Sequence, residues 1–177
     1  SQFITGTSNG GLSAFPGGKR WDWESRIFGQ SYDDAPDCER PVYGALNYLH
    51  KPIGGAPRFG SAHFRLRAHV LSRTTFCYPD SYYEPMDFAL WGSAVYDRDN
   101  SDDDLESSDD CRLSDSCKQL IAKALDDYST GSTRDPLDDY IEAHVHGAVL
   151  ISRDVEALVL DPCFRGTYVE EIAKRLP

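Results

Sequence analysis

The chain has 177 residues, 18 basic against 29 acidic side chains, a formal charge of -11, and 40% hydrophobic and 12% aromatic content. A chain of this length hides roughly 70% of its unfolded surface, so residues 1–177 read as a single domain, and this aromatic content excludes wholesale disorder. The negative charge disfavours nucleic acid and anionic membranes as partners, and no apolar stretch approaches the roughly 20 residues of a membrane helix.

The opening SQFITGTSNGG has no signal-peptide pattern and no initiator methionine, as expected of a processed product or a piece of something longer. Residues 1–40 are rich in glycine, tryptophan and charge, and their glycines with Pro16 forbid long regular elements. Trp21, Trp23, Ile27 and Phe28 anchor this wrap to the core as an ordered lid or wall, with room for one short helix. RPVYGALNYL (40–49) is the first strand-like element, followed by a glycine- and proline-rich turn over 50–60. SAHFRLRAHVL (61–71) alternates apolar and polar side chains, as a strand with one polar face does. RTTFCYPDS (73–81) follows as its expected hairpin partner.

MDFALWGSAVY (86–96) suits a short helix or a strand. The stretch from Asp97 through Asp110 holds eight acidic residues among serines, a solvated loop without the glycine and terminal glutamate of an EF-hand. In SDSCKQLIAKALDDY (114–128), Cys117, Leu120, Ile121, Ala124, Leu125 and Tyr128 share one helical stripe, and Ser114 or Asp115 can cap its start. DDYIEAHVHGAVLI (138–151) alternates again, ALVL (157–160) is a further strand, and Thr167 with Glu170 gives a capping-box pattern for a last helix ending near Leu176. The five cysteines have no C-x-x-C pair and irregular spacing, so neither a disulfide framework nor a zinc knot is indicated; Cys111 and Cys117 flank a short polar segment and could pair if the protein were exported.

Alternate residues of a strand lie about 6.6 Å apart on one face. Glu142, His144 and His146 therefore form a polar ladder opposite Ile141, Ala143 and Val145. Such a ladder suits an ordinary polar face, a metal held by His144 and His146 with a nearby carboxylate, or a carboxylate acting on a sugar centre. In the last case Glu142 stabilises an oxocarbenium-like cation, Arg40, which beside Glu39 reads equally as a surface charge, grips phosphates through its planar fork, and Ser61 holds the carboxylate by a hydrogen bond.

The segments SNGGLSAFPGGKRWDWESRIFG (8–29), ERPVYGALNYL (39–49), RFGSAHFRL (58–66), TTFCYPDS (74–81) and YIEAHVHGAVLISRDVEALVLDPCFRGT (140–167) together resemble a microbial family of uncharacterised proteins, related in overall pattern to the ADP-ribosyltransferase fold. The resemblance implies an α+β fold, a split β-sandwich with surrounding helices, clasping NAD as substrate. It implies Glu142, Arg40, Ser61 and His144 as catalytic residues, and Arg40, Tyr43, Gly44, Ser61, His63 and Tyr78 as NAD contacts. Tyr43, Tyr48 or Tyr78 would stack on nicotinamide. The serine motif, elsewhere serine-threonine-serine, here reads Ser61-Ala62-His63, so Thr74, Thr75 or Ser81 are alternative holders of the glutamate. Tyr140 stands where an acceptor-directing acidic or amide residue is common, so arginine-directed protein modification is not implied, and His144 and His146 are left to bind the acceptor or act as base. The implied activity is transfer of ADP-ribose to a protein or small-molecule acceptor, with NAD hydrolysis as a side reaction, in the cytoplasm or as a delivered toxin or effector. The alternatives are a non-catalytic NAD-sensing or protein-interaction domain and a metal-dependent hydrolase built on His144 and His146.

Overall fold

A computed structural model describes residues 13–83, 88–91, 113–131 and 134–176. The acidic stretch 97–110 and Cys111 lie outside these residues. The fold is mixed α and β, with two small sheets. Helix α1 spans Lys19–Ile27, and the strands are β1 (Val42–Leu46), β2 (His63–Leu66), β3 (Thr74–Cys77), β4 (Phe88–Leu90), β5 (Ile141–Val145) and β6 (Val155–Val159). Helices α2 (Asp115–Thr130), α3 (Ile151–Asp154) and α4 (Tyr168–Ala173) complete the elements, with short 3-10 turns between them. Among the described residues no helix is long and apolar enough to cross a membrane.

The larger sheet is antiparallel in the order β1-β5-β3-β4, and β2 pairs with β6 in a two-stranded sheet. The expected 61–71/73–81 hairpin is therefore corrected: β3 pairs with β5 and β4, and β2 finds its partner some ninety residues downstream. The alternation at 61–71 also breaks, because Ala68–Arg73 winds into a 3-10 turn. Local periodicity specifies a strand but not which edge it joins.

One face of the larger sheet holds the core. Phe76, Tyr78, Ala89, Ile141 and Ala143 pack against Cys117, Leu120 and Ala124 of α2. The stripe anticipated for 114–128 is the buried side of α2, apart from Leu125 and Tyr128, which are exposed. Ser114 caps it, its Oγ accepting from the Cys117 amide at 3.1 Å. Cys117 is a free thiol among the described residues, and its suggested partner Cys111 lies outside them. At the last helix the expected box is corrected: Thr167 Oγ1 donates to the Phe164 carbonyl and the Glu170 carboxylate accepts from the Gly166 amide.

The two sheets are tied where β5 leaves the larger one. Gly147 adopts φ +76°, which a glycine takes at no steric cost, and the turned chain offers the carbonyls of His146, Gly147 and Ala148 to the Arg73 guanidinium. Asp154, fully buried, pairs with Arg153, His69 and Arg73 and accepts from the Leu150 amide. The Arg153 guanidinium, the Leu150 amide and His69 hold its carboxyl well below the usual carboxylate range, against the opposing effect of burial. A depressed carboxyl contributes stability above its unfolded pKa and loses it as pH falls through the folded value. Asp154→Asn should therefore lower the urea midpoint at pH 7 by more than Glu156→Gln, which breaks only an exposed pair with Arg65. That difference should shrink below about pH 4, where the unfolded aspartate titrates, as urea melts across pH would report.

Candidate functional site

The second face of the larger sheet is polar. Residues two apart on a strand share a face, so Glu142 and His144 both point away from the core that Ile141 and Ala143 enter. Register then fixes their neighbours. On β1, Ala45 lies opposite Glu142 and Tyr43 opposite His144; on β3, Cys77 lies opposite Glu142 and Thr75 opposite His144. Because β5 is an inner strand, Glu142 and His144 lie between Tyr43 on one side and Cys77 and Thr75 on the other. Instead of the open ladder the alternation suggests, both faces of β5 are buried: His144 is fully buried and Glu142 is 7% exposed.

Glu142 Oε1 is the hub. His144 Nε2 lies 2.6 Å from it, and the fully buried Ser81 hydroxyl donates to the same oxygen. The Cys77 thiol is fully buried, and burial with the nearby Glu142 and Asp80 carboxylates pushes it well above its usual range. One donor atom from each of Cys77, Glu142 and His144 falls within 4.8 Å of the other two. Thr75 Oγ1 lies 3.3 Å from His144 Nδ1 and 2.9 Å from His146 Nε2, and the Tyr32 hydroxyl is 2.5 Å from His146 Nδ1. Burial, with His144 and Arg73 beside it, pushes the His146 imidazole below its usual range. Beside the cluster, burial raises the Asp80 carboxyl although Tyr140, whose hydroxyl donates at 2.8 Å, and the Tyr82 amide oppose the shift.

Helix α1 and the turn after it cover this face. The Phe28 ring meets His144 and His146 edge-on at 5.2 and 5.7 Å, and Tyr32 stacks on His146. Trp23 Nε1 donates to the Ser81 carbonyl at 3.2 Å. Glu24, fully buried, accepts from Arg40 at 2.7 Å and from the Tyr43 hydroxyl at 2.9 Å.

The residues expected at the site divide accordingly. Glu142, His144 and Tyr43 lie together, with Tyr43 edge-on to His144 at 5.2 Å. Arg40 is buried in its pair with Glu24. Gly44 is exposed on β1, opposite Ala143. Ser61 corrects the expectation that it holds Glu142: its hydroxyl donates to Asp161 at 2.5 Å, and Ser81 reaches the glutamate. His63 packs beneath Gly54 with Nδ1 near the Ser61 carbonyl. Tyr78 is a core residue whose hydroxyl donates to Asp127 of α2, and Tyr48 packs against that same core, so neither stands over Glu142. Of the other threonine, Thr74 donates to the Val70 carbonyl. His146 faces Thr75 and Tyr32 and is not in the group with Glu142 and His144; Cys77 takes the place the H-x-H pattern gave it. Cys77 and Glu24 escaped the sequence reading. Strand geometry sets Thr75 and Cys77 on one face of TTFC, but only the β3–β5 pairing puts that face beside Glu142.

A sequence model of the family described as a protein of unknown function (DUF3626) matches residues 1–92 and 107–177, and the gap between them overlaps most of the acidic stretch. No curated protein matches the chain. No solved structure matches it either.

Proposed function

We propose that the chain, which belongs to this family of unknown function, is a metal-dependent hydrolase whose divalent ion, zinc by donor type, is held by Cys77, Glu142 and His144. The observation that carries the reading is the meeting of these three donors within 4.8 Å on adjacent strands, all of them buried. Thiolate, imidazole and carboxylate together suit zinc, and three protein ligands leave a fourth place for water. When bound, such an ion supplies a water acidic enough to attack near neutral pH.

The surrounding residues support this assignment. Thr75 at His144 Nδ1 fixes the ring with Nε2 turned toward Glu142, and the Ser81 hydroxyl orients the carboxylate; partners of this kind set ligand orientation and basicity. A cation also answers the electrostatics, since it offsets the burial and the neighbouring carboxylates that push the Cys77 thiol up.

A second reading rests on the serine hydroxyl at Glu142, next to the strand into which Arg40 leads. There the chain is an NAD-dependent ADP-ribosyltransferase, the two sheets form the walls of a split β-sandwich, and Glu142 stabilises the cation left when nicotinamide departs. One experiment separates the two. Metal content is measured on purified protein, then p-nitrophenyl acetate and p-nitrophenyl phosphate hydrolysis and nicotinamide release from NAD are followed with and without a chelator. Near-stoichiometric zinc, with hydrolysis lost on chelation and restored by zinc, is the expected result. Nicotinamide release that survives chelation and disappears in Glu142→Gln would instead select ADP-ribosyl transfer, and protein that binds no zinc sinks the metal reading.

A further inference from the structure

The cluster is sealed. Cys77, Ser81 and His144 are fully buried and Glu142 nearly so, so no substrate reaches them in this conformation. Below lie the sheet and the α2 core; above lie α1 and the turn through Tyr32, with Phe88 of β4 and Tyr43 of β1 beside His144.

That covering segment is attached differently from the rest of the fold. No residue between Ser13 and Arg40 belongs to the hydrophobic core cluster. The residues α1 buries are Glu24 and Ser25, where a packed helix would bury aliphatic side chains. Its hold is polar and aromatic: Glu24 on Arg40 and Tyr43, Trp23 on the Ser81 carbonyl, Phe28 and Tyr32 on the imidazoles. The seating is incomplete, since Arg20 Nε and Trp21 Nε1 are buried without a hydrogen-bond partner. The helix has nine residues and no side-chain cap, too short to be stable apart from the surface it rests on. It is also bracketed by Gly17 and Gly29, both at positive φ, where backbone rotation meets least steric resistance.

We infer that α1 and the turn through Tyr32 form a releasable cover, latched by Glu24 to Arg40 and Tyr43, whose opening admits substrate to Cys77, Glu142 and His144. The inference takes from the proposed function only that this cluster is the working site. Its test reads the motion without reading any metal or activity.

The two thiols buried among the described residues make the measurement. Cys77 lies on the covered face, whereas Cys117 lies in the core on the other side of the sheet. Cover opening exposes Cys77 alone, and global unfolding exposes both. Folded, chelator-treated full chain is labelled with iodoacetamide, and modification at each cysteine is followed by peptide mass spectrometry. Glu24→Gln should speed labelling of Cys77 about tenfold or more while Cys117 keeps its wild-type rate. Tyr43→Phe, which removes one of the two latch bonds and keeps the ring, should act in the same direction by less, and it carries the comparison alone where Glu24→Gln does not fold. Parallel acceleration at both cysteines, or no change at Cys77 in either variant, overturns the cover. Protein that binds no zinc leaves this result standing, so the two proposals fail separately.

Discussion

Cys77→Ser, Glu142→Gln and His144→Asn should each cut zinc affinity by more than a hundredfold, whereas Thr75→Val should cost only about ten- to a hundredfold, as losses of outer-shell partners do. The ranking follows from position. The first three residues supply the donor atoms that meet within 4.8 Å, while Thr75 reaches His144 at the nitrogen turned away from the group. His146→Asn should fall with Thr75→Val or below it, because both nitrogens of His146 already face hydroxyl groups. Competition against a chromophoric chelator gives the affinities. Cobalt substitution adds a direct view of Cys77, since a thiolate-to-metal charge-transfer band should appear in the wild type and vanish in Cys77→Ser. A loss in His146→Asn equal to that in Cys77→Ser would return the ligand set to the H-x-H pattern.

The largest effect on stability is expected on the other side of the same strand. Phe76→Ala should lower unfolding free energy by about 3–5 kcal/mol, the usual range for truncating a buried phenylalanine. Phe76 is 1% exposed, packs against Ala89, Ile141 and α2, and meets Trp91 at 5.9 Å. Phe64→Ala, removing a side chain that is 49% exposed, should cost far less, within about 1 kcal/mol. Urea denaturation of the two variants compares them directly. Equal losses would mean that the β2–β6 sheet carries as much of the core as the larger one. Phe76 lies between Thr75 and Cys77, so the same substitution loosens both the core and the floor of the site.

The sequence by itself determined the elements whose pattern is local. Residues 114–128 form a helix because their apolar side chains recur at helical spacing behind a serine cap, and 141–145 form a strand because Glu142 and His144 alternate with Ile141 and Ala143. It also determined that Glu142 and His144 share a face, since strand geometry allows nothing else, and that the aromatic segment before residue 40 rests on the domain as a wall. Only the tertiary structure decided which strands lie side by side. That choice depends on contacts far apart in the chain: β3 joins β5 across 65 to 71 positions, carrying Cys77 to Glu142. It also moved Ser61 to Asp161 and brought Ser81 to the glutamate. Burial was decided there as well. A polar ladder reads the same whether water or a helix lies above it, and here α1 closes over it, with the Glu24 carboxylate compensated by Arg40 and Tyr43.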